Sequence, residues 1–162
     1  MGEARRLAAE YRLATGKSLP ITGEIAVHDA LRLLGLDEAP AELAGVDALR
    51  QVGPDLDDSA QKIQVKGRAI FDQVKGGHRL GQLRTEQAWD VLVLVLMDEH
   101  YETTEIYAAD KDVIVEVLDR SNKQRQRRGA VSVARFKIIG ELLWSRDLGL
   151  SDDGYWTNRV SG

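Results

Sequence analysis

Apolar residues recur at helical spacing twice before any strand-like pattern begins. Residues 3–15 put Leu7, Tyr11 and Ala14 on one stripe, and Gly16 follows as a natural stop. A stronger pattern opens at Thr22, a residue suited to an N-cap, and carries Val27, Ala30, Leu31 and Leu34 on one face up to Gly35. Glu24 falls in the first turn of this helix, where the helix dipole favours an anion. After a loop holding Pro40 the period changes to two. GVDALR (Gly45–Arg50) and QKIQVKGR (Gln61–Arg68) both alternate, and the turn-rich QVGPDLDDS between them predicts an antiparallel pair. Residues 69–88 carry glycines and little periodicity, which predicts loop. The run from Trp89 to Met97 has the character of a central strand covered on both faces. Thr103–Ala108 predicts a further strand, and Asp110 is expected to cap a helix reaching Asp119. Ser132 opens a last helix with Phe136, Ile139, Gly140 and Leu143 on one face.

The order helix, helix, four strands, helix, helix predicts an α/β fold, a mixed central β-sheet flanked by helices. A chain of 162 residues is sized for one domain, expected over 1–146, with 147–162 as a polar C-terminal tail. The composition, 43% hydrophobic and 30% charged, is that of a globular protein. The longest apolar run, Val91–Met97, is too short to span a bilayer, so no membrane partner is expected. Cysteine is absent, which excludes disulfides and thiolate metal sites, and MGEARRLAAEY lacks the apolar segment of a secretion signal. Both features point to the cytoplasm.

Chemistry enters through strand alternation. Gln64 and Lys66 project to one side of their strand, Ile63 and Val65 to the other. The economical arrangement buries Val46, Ala48, Ile63 and Val65 under helices and gathers Asp47, Gln64 and Lys66 on the opposite face. Phosphodiester hydrolysis calls for such a set. Hard oxygen ligands hold Mg²⁺ or Mn²⁺, and an ammonium orients the attacking water or steadies developing charge. The Val65 carbonyl can complete the coordination, and Glu24 can supply a second carboxylate. The bland alternative is a cross-strand ion pair between Asp47 and Lys66 on a solvated face, which contributes under about 1 kcal/mol.

Glu24, the GVD ending at Asp47 and the QVK ending at Lys66 resemble the acidic helix residue, acidic strand residue and (D/E)xK of the restriction-endonuclease-like PD-(D/E)xK superfamily. The resemblance covers roughly residues 20–120 and rests on a short, degenerate motif. It implies a restriction-endonuclease-like core and metal-dependent cleavage of DNA, of restriction or repair type. It assigns metal binding to Asp47 and Gln64, water activation to Lys66 and a supporting role to Glu24. Gln64 stands where the family's usual acid would be, similar to the QxK of modification-dependent restriction enzymes, and removes one negative charge from the site. The helix that often follows the second core strand in this family is not evident in residues 69–88. The rival expectation is a non-catalytic DNA-binding or interaction protein that keeps the fold.

The net charge of −4 opposes nucleic-acid binding on average, but Arg120 to Lys137 is a local exception. Arg120, Lys123, Arg125, Arg127, Arg128, Arg135 and Lys137 lie there without a single acid, so DNA is the expected partner of this run; a solvated linker is the alternative. Because one small site cuts one strand, a homodimer is expected, with the last helix near Trp144 as a candidate surface. His28, one turn after Glu24, reads as a partly buried surface residue rather than a ligand. His78, in KGGHR with Lys75 and Arg79, offers a phosphate contact from a mobile loop but reads rather as part of an exposed polar loop, and His100, beside Glu99, carries no constellation. Asp55, Asp57 and Asp58 lack the glycine and terminal glutamate of a calcium loop and read as a solvated turn.

Overall fold

A computed structural model of the chain describes residues 1–17, 19–51, 60–71, 78–123 and 131–151. Helices α1 (Gly2–Thr15) and α2 (Thr22–Leu34) come first. Strands β1 (Asp37–Glu38), β2 (Ala48–Arg50), β3 (Gln61–Ala69), β4 (Val91–Met97) and β5 (Thr103–Asp110) follow. Helices α3 (Lys111–Lys123) and α4 (Val133–Ile139) precede strands β6 (Glu141–Ser145) and β7 (Gly149–Leu150). The described strands form one mixed sheet in chain order, in which β3 and β4 run parallel and every other neighbouring pair runs antiparallel. The fold is therefore α/β, a mixed central sheet flanked by helices, as the hydrophobic pattern implied.

All residues of β4 are buried, and their alternation builds two cores. Val91, Val93, Val95 and Met97 pack with Ala8 of α1 and Ile25, Ala26 and Ala30 of α2. Leu92, Leu94 and Leu96 pack with Ile114 and Leu118 of α3 and Val133 and Phe136 of α4. Parallel pairing of β3 with β4 requires a crossover, and its described part runs through Leu80, Leu83 and Trp89 in the α3/α4 core. Among the described residues no helix is long and apolar enough to cross a membrane.

Several boundaries differ from the sequence reading, each for a local reason. Ile21 is the N-cap of α2 and Thr22 its first residue, with no side-chain capping bond. Asp110 is the last residue of β5 and directly precedes α3, which continues past Asp119 to Lys123. Ser132 does cap α4, accepting from the Arg135 amide at 3.0 Å. That helix stops at Ile139, so Leu143 lies on a strand and not on the helical face expected for it. Gly140 explains the stop: a Cβ there would meet the Ala108 carbonyl oxygen at 2.8 Å, so the chain can pass close against β5 and pair with it. The Gly149–Leu150 strand pairs with β6, carrying sheet structure past Arg146 into the expected tail. The turn expected between the β2 and β3 strands, at 52–59, lies outside the described residues, as does 152–162.

A buried charge network ties α1 to the rest. The Arg5 guanidinium donates to Asp29 Oδ1 at 2.5 Å and to the Tyr101 carbonyl at 2.6 Å, and the Thr103 hydroxyl donates to Asp29 Oδ2 at 2.5 Å. Burial pushes the Asp29 pKa upward, but the hydrogen bonds from Arg5, Thr103 and His28 prevail and hold it below its ordinary value. The side chains of Arg5 and Asp29 are 8% and 1% exposed, so removing either partner strands a charge in the interior. Arg5→Ala should lower the unfolding free energy by about 3–5 kcal/mol in urea titrations. Because the folded-state pKa is depressed, the stabilisation is present above the ordinary aspartate value of 3.8 and is lost as pH falls through the lower folded value. The gap between wild type and variant should therefore narrow on acidification; a gap that widens would rule the pairing out.

Candidate functional site

The site begins with a glycine. Gly67 lies on β3 beneath the first turn of α2, and a Cβ there would sit 2.6 Å from the Ala26 Cβ and 3.1 Å from the Thr22 carbonyl oxygen. Only a residue without a side chain lets the helix start lie this low on the sheet. Gly23, Glu24, Val27, His28 and Leu31 of α2 then form one wall of a cleft of about 540 Å³, faced by Glu38, Asp47 and Val65.

Asp47 reaches this cleft through an irregularity in the ladder. Its amide donates to the Ile63 carbonyl at 2.8 Å and its carbonyl accepts from the Ala39 amide at 3.2 Å. The next ladder donor, the Val65 amide, is taken not by a carbonyl but by Asp47 Oδ2, at 2.8 Å. Regular alternation stops here: Val46 joins the α3/α4 core and Ala48 the α2 core, while the Asp47 carboxylate lies with Val65 on the α2 side. The expectation that Val46 and Ala48 are buried together, with Asp47 opposite, is corrected on this point.

Gln64 and Lys66 follow strict alternation and therefore face away from Val65, on the α3/α4 side of β3. Gln64 is 8% exposed, its amide nitrogen donating to the Gly45 carbonyl at 3.2 Å and to Gln87 Oε1 at 3.4 Å. Its Oε1 is buried without a partner among the described residues. Lys66 is half-buried on the same face, next to Arg68, whose guanidinium donates to the Arg79 carbonyl at 2.7 Å. Burial lowers the Arg68 pKa. The four residues singled out as one constellation are thus divided. Glu24 and Asp47, with Val65, share the cleft; Gln64 and Lys66 are on the far side of the sheet.

The described part of the basic run is partly neutralised by acids from outside it. Arg120 donates to Glu116 at 2.6 Å and Lys137 to Glu105 at 3.1 Å. Glu105 also accepts from the Tyr107 hydroxyl, whose pKa is pushed up to about 12 by burial and by that carboxylate. Arg135 is exposed on α4, and Lys123 ends α3. Arg125, Arg127 and Arg128 lie outside the described residues, as do Asp55, Asp57 and Asp58. Trp89 is wholly buried, with its indole N–H on the Arg84 carbonyl at 2.9 Å, so it packs as core.

Two titratable lining residues, Glu38 and His28, were not assigned to the site from the sequence. Glu38 lies on a two-residue strand too short to show any period. His28 stands at helical spacing from Glu24, a signal that was present but that a lone histidine does not make specific. The half-exposed His28 ring lies with Nδ1 3.2 Å from Asp29 Oδ1.

The cleft joins three carboxylates, from Glu24, Glu38 and Asp47, with one imidazole. Such a lining repels a phosphate diester until a cation offsets it. Hard oxygen donors suit Mg²⁺ or Mn²⁺, and of the anticipated ligand set Asp47 and Glu24 fit that chemistry here while Gln64 does not reach it. Among the described residues no three His, Asp or Glu side chains form a complete cage, and Mg²⁺ ordinarily takes one or two carboxylates with water and substrate phosphate for the rest. The chain matches no family model, and no curated protein matches it in sequence.

Asp47 has a structural duty that separates two of its variants. Asp47→Ala leaves the buried Val65 amide without its acceptor and should lower the unfolding free energy by about 1–3 kcal/mol. Asp47→Asn keeps an acceptor oxygen and should stay closer to wild type. Equal stability of Asp47→Ala and wild type in urea titration would contradict the contact.

Proposed function

We propose that the chain is a metal-dependent endonuclease hydrolysing DNA phosphodiester bonds, with its chemistry in the cleft between α2 and the β1–β3 end of the sheet. The observation that carries this reading is that Glu24 and Asp47, the two carboxylates singled out by the resemblance to PD-(D/E)xK nucleases, line one cleft together with Val65. Asp47 is preorganised, because the Val65 amide holds its carboxylate before any cation arrives. Glu24 adds a second hard donor from the first turn of α2. A Mg²⁺ or Mn²⁺ ion on these carboxylates supplies charge neutralisation for the phosphate and a more acidic bound water. The basic run from Arg120 to Lys137 is the proposed DNA-backbone contact, and a homodimer the proposed route to cutting both strands.

A second reading, a non-catalytic DNA-binding or interaction protein with the same fold, is favoured by one observation. Gln64 is engaged in holding the Gly45 carbonyl, and Lys66 lies on the face opposite Asp47, so neither serves the cleft.

Plasmid nicking separates the two. Cleavage should require Mg²⁺ or Mn²⁺, stop with a chelator, and fall by about 100-fold or more in Asp47→Asn and Glu24→Gln, each checked for folding by circular dichroism. Wild-type protein that leaves plasmid intact across these metals, while still retarding it on a gel, would replace the enzyme by the binding protein. Independently, replacing Arg125, Arg127 and Arg128 with Gln should weaken binding to all DNA sequences and reduce the salt slope by about one unit per lost phosphate contact. An unchanged slope returns the run to a solvated linker.

A further inference from the structure

The proposed hydrolysis leaves one role vacant. Lys66, to which the resemblance assigns water activation, lies across the sheet from the cleft, so a proton acceptor for the attacking water must come from the cleft itself. Its described lining contains one group besides the three carboxylates that can accept a proton: His28.

The surroundings of His28 set the state of its ring. Asp29 is 1% exposed and is held by Arg5 and Thr103, so its carboxylate is an acceptor and not a donor. The depressed pKa of Asp29 agrees with that, and Arg32 NH2, 3.9 Å from Oδ1, adds positive charge from the same helix. Facing an acceptor at 3.2 Å, His28 Nδ1 must carry the hydrogen. In the neutral ring Nε2 then keeps the lone pair. A carboxylate that is buried, ionised and fixed by two other donors therefore selects one imidazole tautomer on a residue that lines the cleft. This pairing is built across three elements, since Arg5 comes from α1, Asp29 from α2 and Thr103 from β5.

We propose that His28, oriented by Asp29, is the general base of the cleft. The role rests on the phosphodiesterase reading above. In the step, a water oxygen forms a bond to phosphorus and its proton passes to His28 Nε2. The bond from phosphorus to the leaving ester oxygen breaks, and that oxygen takes a proton from solvent. The Asp29 carboxylate accepts from Nδ1–H throughout and stabilises the imidazolium.

Two measurements test the assignment, one of them without turnover. In ¹⁵N-histidine-labelled protein above the titration of the ring, long-range ¹H–¹⁵N correlations should report His28 protonated on Nδ1. A ring protonated on Nε2, or averaging between tautomers, overturns the proposal whatever the activity. On plasmid with Mn²⁺, His28→Ala should retain its circular dichroism and DNA affinity, lose about 100-fold or more in single-turnover rate, and recover part of it with added imidazole, whereas Lys66→Ala should stay within about threefold of wild type. Cleavage by His28→Ala near the wild-type rate, with Lys66→Ala inactive, defeats the His28 role and leaves the phosphodiesterase standing. No cleavage by the wild type defeats the phosphodiesterase itself and this role with it.

Discussion

Seven consecutive apolar side chains from Val91 to Met97 must be kept from water on both faces of their strand, and the architecture answers that constraint. Fully burying a residue of this size contributes about 1.5–3 kcal/mol, so β4 alone outweighs any single polar contact in the chain. One layer of helices satisfies its valine face and another its leucine face. The two layers differ in consequence. On the valine side α2 lies close enough to the sheet for the cleft to form at its N-terminal half. On the leucine side the described part of the crossover from β3 to β4 and helices α3 and α4 fill the space, leaving Gln64 buried among polar neighbours.

Two small features shape the cleft on this scaffold. The missing side chain at Gly67 sets the height of α2 over β3, and the Asp47 carboxylate replaces a carbonyl in the ladder. Each is a departure from regular structure that costs packing or pairing locally and is compensated by the contact it permits. Together they bring a helix-borne carboxylate and a strand-borne carboxylate to one concavity. The Arg5–Asp29–Thr103 network performs a similar service one turn further along α2. It docks a weakly amphipathic first helix, whose buried residues are Arg5 and Ala8, and in the same contact orients His28.

How much of this the amino-acid sequence determined by itself follows from which features have a period. Both helices at the amino terminus, the antiparallel β2/β3 pair, the buried central strand and the mixed α/β class were legible, because apolar spacing reports helix and strand directly, but the buried face of α1 was not: its Leu7, Tyr11 and Ala14 stripe is exposed, and Arg5 and Ala8 are buried instead. The Ser132 cap and the ends at Gly16 and Gly35 were legible for the same local reason. Strand β6 was not, since the apolar spacing from Phe136 to Leu143 fits a helix until Gly140 allows close approach to β5.

The site was legible in composition and not in arrangement. Sequence singled out Glu24 and Asp47, and tertiary structure put them in one cleft. Alternation placed Asp47 with Gln64 and Lys66, and it failed at one residue, because a carboxylate can satisfy a backbone amide as well as a carbonyl can and strand period carries no trace of that substitution. His28 and Glu38 became neighbours of the site only through the packing of α2 on β3 and the pairing of β1 with β2. Periodicity is a property of nearest neighbours along the chain. Which carboxylates share a cleft depends on helix height and ladder irregularity, and contacts between residues far apart in the chain decide both.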